Sequence, residues 1–386
     1  MKTIFNIYIR ELKQCIEDLG VMVFLIVVPI GYPLLYTYIY SQEVVHDIPV
    51  TVCDLSNSSI SRCFLQKCDA TPEIAIVSLC TDMLSARKQM KEDKAKGIIY
   101  IPEEFANNIQ SNIQAHVSIY CSMASLFYYK AILVACTEVS LSMNSNIQIA
   151  QLGGLTERED EIYTTPLQHV AVGIANPTAG FANFIIPAIL VLILQQTLLL
   201  GVGMRMGTDR EHHRPALRYK TSSALAYIIG RGFAYLTIYM PVTAYILCIV
   251  PAIFNLSQLS HAQTLAMFML PYLLACIYFA ITLGHFIRNR ETSMLMFVFT
   301  SIPFLFLSGI SWPGSSIPIF WKYVSYLLPS TPGINGFVAI NETGAPLFDV
   351  LFEYRLLWLQ TAFYFITATV LTRRKNRKRK IQLLAQ

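Results

Sequence analysis

The chain has 386 residues, 54% hydrophobic and 14% charged, with a formal net charge of +5 and a mean hydropathy of +0.48. A water-soluble domain carries about 25% charged residues, so this composition excludes an ordinary soluble protein and places the chain in a bilayer. The seven histidines form no ligand set beyond the adjacent His212 and His213, which a helix would point apart, and no GxSxG nucleophile motif occurs.

Residues 1–18 set Ile4, Phe5, Ile7, Tyr8 and Leu12 among Lys2, Arg10 and Lys13, the pattern of an amphipathic helix lying on the inner leaflet. The apolar run that follows, 19–40, is long enough to cross roughly 30 Å of hydrocarbon. It is too long for a signal-peptide core and no small-residue cleavage site follows, so no cleavable signal is expected.

Residues 41–180 alternate in pattern. Strands are expected at 48–53, 73–79, 97–101 and 115–121. Between them lie helices at 56–68, capped by Ser56, and at 81–97, capped by Thr81 and terminated by Gly97. Pro102 opens a short helix, and a long one covers 125–150. Such alternation predicts a small mixed sheet with helices packed on it. The apolar stretch Ala131–Cys136 is bracketed by Lys130 and Glu138, which favours domain core over a span. Six cysteines fall here: Cys53, Cys63, Cys68, Cys80, Cys121 and Cys136. An oxidising exterior permits disulfides, with 15 possible pairings. Buried small hydrophobes are the other reading, and it suits Cys53, Cys80 and Cys121 at the ends of apolar strands.

Five further spans are expected at about 181–205, 224–250, 263–287, 292–309 and 355–372, making 181–372 a five-helix region. A basic tail, 373–386, begins RRKNRKRK. Lys and Arg resist translocation, so this tail fixes the C-terminus inside. Lys2, Arg10 and Lys13 do the same for the N-terminus. Arg205, Arg210, Arg214, Arg218 and Lys220 mark an inside loop at 206–223, and Arg288 and Arg290 mark another. The connection after the third span, 251–263, has no Lys or Arg. Residues 41–180 then lie outside. They carry nine basic against fifteen acidic residues, a net of −6, which leaves +11 for the rest. The fold expected is a membrane α-helical protein with six transmembrane helices and a mixed α/β extracytoplasmic domain inserted between the first and second spans.

Within the spans the costly polar groups are Asn183, Gln195, Gln196, Thr197 and Arg231, which face protein or water rather than lipid. The first four line a path or tie a dimer together. Arg231, near the inner third of its span, is expected to snorkel. No Asp or Glu lies deep in a span, which argues against a proton- or sodium-coupled carrier. In segment 307–329, Gly309, Trp312, Pro313 and Pro318 combine helix breakers with an interface aromatic. Broken backbone at membrane depth needs protein around it, so short re-entrant helices are expected here rather than an ordinary external loop.

Several local stretches occur in a recognisable order: Asp54-Leu55-Ser56 after the first strand, Gly97-Ile98-Ile99-Tyr100-Ile101-Pro102 with Phe105, Asn176-Pro177 before the second span, GTDREHHRPALRY after it, and FLSGISWPGSSIP after the fifth. Together with the leader, the single span and the large external domain, they resemble the type-2 ABC transporter permeases over essentially the whole chain. The resemblance implies a second permease chain, separate nucleotide-binding ATPase subunits carrying ATP and Mg, and, in a two-membrane cell, a periplasmic membrane-fusion adaptor. It implies an inner-membrane location. It also implies that Asp209, Arg210, Glu211 and His212 form a coupling helix seated in the ATPase, although here Gly207-Thr208 precedes the acidic residues instead of following them. No GxxxxGK[ST] phosphate loop occurs, so ATP hydrolysis is expected on the partner and no cofactor on this chain. No nucleic-acid partner is expected, whereas membrane lipid is. The apolar spans suit a hydrophobic or amphipathic substrate moved outward. A membrane-anchored sensor whose external domain binds a ligand is the competing class.

Overall fold

Residues 2–40, 45–123, 125–152, 180–211, 223–310, 312 and 314–384 are described by a computed structural model. They fall into two units, Met1–Glu43 with Gly173–Gln386, and Val44–Val172.

The first unit opens with α1 (Lys2–Glu17), whose buried residues Ile7, Glu11 and Cys15 recur every four positions and so form one stripe. Asp18 ends it and caps α2 (Leu19–Ile39), its carboxylate accepting from the Val21 amide at 3.4 Å. A π-helical turn, Val23–Val27, precedes Pro29. Proline lacks an N–H and its ring crowds the carbonyl four residues back, here Leu25 inside that turn, so the widened turn relieves the clash.

The second unit is built on β1 (Ile48–Asp54), β2 (Ile74–Cys80), β3 (Gly97–Ile101) and β4 (Ser118–Cys121). The order is β2-β1-β3-β4, parallel except for the antiparallel β4 edge. Its helices are α3 (Ser59–Asp69), α4 (Met83–Lys91), α5 (Phe105–Gln110) and α6 (Leu126–Leu152). Two caps differ from expectation. Ser58, not Ser56, caps α3 in a reciprocal box with Ser61, because Asp54 takes the Ser56 and Asn57 amides at 3.0 and 3.1 Å in a tight turn. Asp82, not Thr81, caps α4, and Gly97 begins β3 rather than ending a helix. Helix α6 buries Ile132, Ala135, Cys136, Val139 and Met143 in the cluster that holds Val50, Val52 and Ile99 of the sheet. Ile132, Ala135 and Cys136 of the apolar stretch are therefore core of this unit, whereas Leu133 and Val134 are exposed.

The first unit resumes with α7 (Phe181–Glu211), α8 (Ala224–Ile253), α9 (Ala262–Gly284), α10 (Arg290–Leu307), α11 (Ile319–Ser325), α12 (Ser330–Thr343) and α13 (Leu351–Leu384). A second π-turn, Tyr245–Ile249, precedes Pro251 in α8 and encloses Leu247, again four residues back. Helix α7 is the hub: α2, α9, α10 and α12 all pack on it, and nearly every side chain from Ile186 to Met206 is buried.

Among the described residues, six helices are long and apolar enough to cross a membrane: Leu19–Ile39, Leu126–Ile149, Ala182–Glu211, Ala224–Ile253, Ala262–Gly284 and Arg290–Leu307. Five coincide with expected spans. Leu126–Ile149 qualifies by composition yet spends one face on the sheet. The expected span 355–372 lies inside α13 but has only 17 residues, 356–372, between Arg355 and Arg373, with Gln360 among them. The boundary after the second span also moves, since α7 continues through Glu211 and absorbs the start of the expected loop 206–223. Residues 212–222 of that loop lie outside the described residues, as do 41–44 and 153–179 of the expected external segment.

Candidate functional site

Two buried groups of polar side chains stand out in the first unit, both on α7. The first joins its C-terminal end to three other elements. Arg205 and Arg231 are each 1% exposed, and Glu11 is 5% exposed. Arg231 Nε donates to Glu11 Oε1 at 2.8 Å, and the Tyr235 hydroxyl donates to the same oxygen at 2.7 Å. Arg231 also reaches the Tyr227 hydroxyl at 2.8 Å. Arg205 pairs with Asp209 Oδ1 at 2.8 Å and lies 3.9 Å from Glu11, while Asp209 Oδ2 is 3.7 Å from Arg231. A second Arg205 nitrogen donates to Gln14. Two acids and two bases thus close a neutral knot. Burial alone would raise the Glu11 carboxyl, but the Arg231 and Arg205 charges and the Tyr235 hydroxyl hold it below its ordinary value.

The knot requires α1 and α8 to touch. At Gly230 an added Cβ would lie 2.9 Å from Ile7 Cβ and 3.0 Å from the Ile4 carbonyl oxygen, so only glycine permits this approach. A second set of bonds ties the α1–α2 elbow to α10. Asp18 accepts from Arg290 at 2.7 Å and from the Thr208 hydroxyl at 3.3 Å. Burial raises the Asp18 carboxyl, and the Val21 amide and Arg290 outweigh that effect and lower it. Glu211 accepts from the Arg290 amide at 2.9 Å, and Arg210 donates to the His285 and Ile287 carbonyls. Gly207 lets the two backbones meet, since a Cβ there would stand 2.9 Å from Arg290 N.

Asp209, Arg210 and Glu211 are therefore brought together at the end of α7, each engaged with another part of its own chain; His212 lies outside the described residues. Arg231 does not snorkel. It stays buried because a carboxylate waits for it. Glu11 itself escapes the sequence reading, although a signal existed: it occupies the apolar stripe of α1, one turn from Ile7 and one from Cys15, and two arginines within spans lack any acid in those spans to balance them.

The second group lies higher on α7. A groove of about 420 Å³ runs between α2, α7 and α10, lined by Tyr32, Tyr36, Gln196, Thr197, Phe297 and Ser301 among others. Gln196 is 4% exposed, and neither its oxygen nor its nitrogen finds a partner. Gln195 faces elsewhere, its oxygen 3.6 Å from Cys276 Sγ of α9. Thr197 accepts from the Tyr239 hydroxyl of α8 at 3.0 Å. Asn183 does not join them; it accepts from the Ser257 amide at 3.1 Å and staples the start of α7 to the α8–α9 connection. The adjacent glutamines thus point apart, as the 100° step of a helix demands.

In segment 307–329, Gly309 takes φ 86°, the left-handed conformation that ends α10. Trp312 is exposed, Pro318 precedes α11, and Pro313 lies outside the described residues. The break between α11 and α12 is pinned from α13: Gln360 donates to the Tyr326 carbonyl at 2.8 Å, and the Tyr364 hydroxyl to the Leu327 carbonyl. Side chains thereby satisfy carbonyls that an interrupted helix leaves open.

A bundle of long apolar helices with buried charge at one end defines a multi-pass membrane protein. Residues 20–370 match the family described as ABC-2 family transporter protein, and the chain belongs to that family. No curated protein matches it. Members of the family are membrane subunits that work with an ATPase partner. Among the described residues, no three His, Cys, Asp or Glu side chains gather to hold a metal ion.

Proposed function

We propose that this chain is the permease of an ATP-driven exporter, with both termini and loop 206–223 inside, residues 41–180 outside, and a second permease completing the path. The knot of Glu11, Arg205, Asp209 and Arg231 carries the reading. It fastens α1, α7 and α8 to one another at the end of α7 that leads into the expected coupling loop. The Asp18–Arg290 and Glu211–Arg290 bonds tether only the N-terminal ends of α2 and α10, leaving the groove-lining halves of those two helices outside that body. A displacement applied beyond Glu211 then moves α1, α7 and α8 together, because packed elements joined by buried bonds shift as a body. Asp209, Arg210 and Glu211 transmit the stroke, and the ATPase contact falls on His212 and the residues after it.

The groove lies about 20 Å along α7 from Asp209, thirteen residues at 1.5 Å each. Its volume falls in the range that holds a small organic ligand. Its lining carries no charge, and Gln196 offers an unpaired amide nitrogen, with two N–H donors, and an unpaired carbonyl oxygen. That chemistry favours a neutral, amphipathic substrate with a hydrogen-bonding group among apolar atoms. Phe5, Ile9, Ile16 and Leu19 leave an exposed apolar face on and beyond α1 that suits the inner leaflet.

Co-purification tests this reading. The tagged chain is expected to bring down an ATPase subunit carrying a phosphate loop, and replacing loop residues 212–214 by alanine is expected to lower recovery of that subunit with normal membrane abundance. A chain that retains no ATPase when wild type would overturn the reading in favour of an anchored receptor.

A further inference from the structure

The second unit contains a thiol pair that the transport mechanism does not use. Cys68, in the last turn of α3, is 0% exposed, and Cys136, in the middle of α6, is 1% exposed. Helix α3 packs directly on α6, and the two side chains are buried in one apolar cluster with Phe64, Leu65, Ile132 and Val139. The neighbouring Cys136 thiol, together with burial, pushes the Cys68 thiol up. Two thiols that act on each other between packed helices are placed where a bridge can form. The other cysteines of this unit do not join two helices across its core. Cys53 and Cys80 are register partners on neighbouring parallel strands, with Cys80 accepting from Gln89. Cys63 is exposed, and Cys121 lies on edge strand β4.

We propose that Cys68 and Cys136 are joined by a disulfide in the mature protein, locking α3 onto α6 across the sheet unit. The inference rests on the outside location of residues 41–180. The chemistry is a dithiol–disulfide exchange. One cysteine, as thiolate, attacks a sulfur of an oxidised thiol oxidoreductase and forms a mixed disulfide. The second thiolate then displaces that enzyme's sulfur, giving the Cys68–Cys136 bond. Two protons leave the cysteines, and two electrons reduce the oxidoreductase to its dithiol. Both sulfurs are inaccessible once the core has closed, so the exchange belongs to folding, before α6 settles on the sheet. The bond encloses the segment from β2 to the first half of α6, a long loop, and long loops gain most from closure.

The full-length protein in intact spheroplasts tests this with two readouts. An impermeant maleimide applied from outside reports the location of the unit through exposed Cys63. The membranes are then acid-quenched, unfolded with N-ethylmaleimide and digested without reduction, and the peptides are read by mass spectrometry. The expected result is external labelling of Cys63 together with a linked peptide pair containing Cys68 and Cys136, lost on reduction and absent from C136A. Cys63 labelled outside with Cys68 and Cys136 each carrying N-ethylmaleimide, or bridged to other cysteines, overturns the pairing and leaves the orientation standing. Cys63 protected from outside but labelled after permeabilisation overturns the orientation and the disulfide with it.

Discussion

Replacing Glu11 by Gln removes one charge from a knot that is otherwise neutral. The side chain is nearly isosteric, so little packing is lost. Arg231, 1% exposed, would face the new amide at the 2.8 Å where it now meets a carboxylate, and of its two acids Arg205 would keep only Asp209. Breaking a buried pair on one side leaves an uncompensated charge and costs about 3–5 kcal/mol, more than the pair contributes relative to apolar residues. Removing both partners is expected to be milder. Glu11→Gln combined with Arg231→Met should cost less than the sum of the two single variants, by a coupling of roughly 0.5–3 kcal/mol, the range double-mutant cycles find for contacting residues. The assay is SDS-induced unfolding of the purified protein in detergent, followed by tryptophan fluorescence. The pH dependence follows from the same carboxyl. Its folded-state pKa lies below the ordinary value, so its contribution is complete above the ordinary carboxylate range and is lost as pH falls through the folded value. The Gln variant should lose that part of the acid dependence. Wild-type stability in Glu11→Gln, or a double variant whose cost equals the sum of the singles, would refute the knot.

Gly230→Ala places a methyl against Ile7 and the Ile4 carbonyl, so α1 must shift; a loss of about 1–3 kcal/mol is expected, with faster proteolysis of α1 as the readout. Gln196→Leu removes two buried unpartnered polar atoms. It should leave stability unchanged or raise it by about 1 kcal/mol while altering substrate-stimulated ATPase activity of the complex; Gln195→Leu, which faces Cys276, should leave selectivity alone, and the opposite pattern would move the path off the groove. In a background lacking the native cysteines, cysteines introduced at Lys94 and Gln258 should react with an impermeant reagent from outside and one at Arg214 should not; labelling at Arg214 would overturn the orientation.

Much of the fold is legible because it rests on local signals. Five of the six expected spans follow from apolar length, and the four strands from β-branched runs bounded by turn residues. Caps were misplaced where a side chain two or three residues away competed, as Asp54 did for the amides beside Ser56. By hydropathy α6 resembles a span, because a helix buried on one face by a sheet is as apolar as one facing lipid; the bracketing Lys130 and Glu138 are what favour core. The groove was half legible: Gln195 and Gln196 marked the right turn of α7, but which of them faces the groove depends on rotation against α9. The knot was the least legible element. Its members lie at positions 11, 205, 209 and 231, and their meeting depends on α1 folding back against α8 at Gly230, a long-range contact that periodicity does not encode.

The central claim is that α1 and α8 travel with α7 as one body while the groove opens and closes. Pulsed electron–electron spin resonance measures it directly, using the permease–ATPase complex in nanodiscs with and without ATP and vanadate. One label pair sits on Lys13 and Leu225, across the α1–α8 contact, and another on Tyr32 and Ile302, across the groove. The account predicts an unchanged distance for the first pair in both nucleotide states and a shifted distance for the second, with the first pair becoming broad in Glu11→Gln. A first pair that moves with nucleotide while the groove pair stays fixed would contradict it.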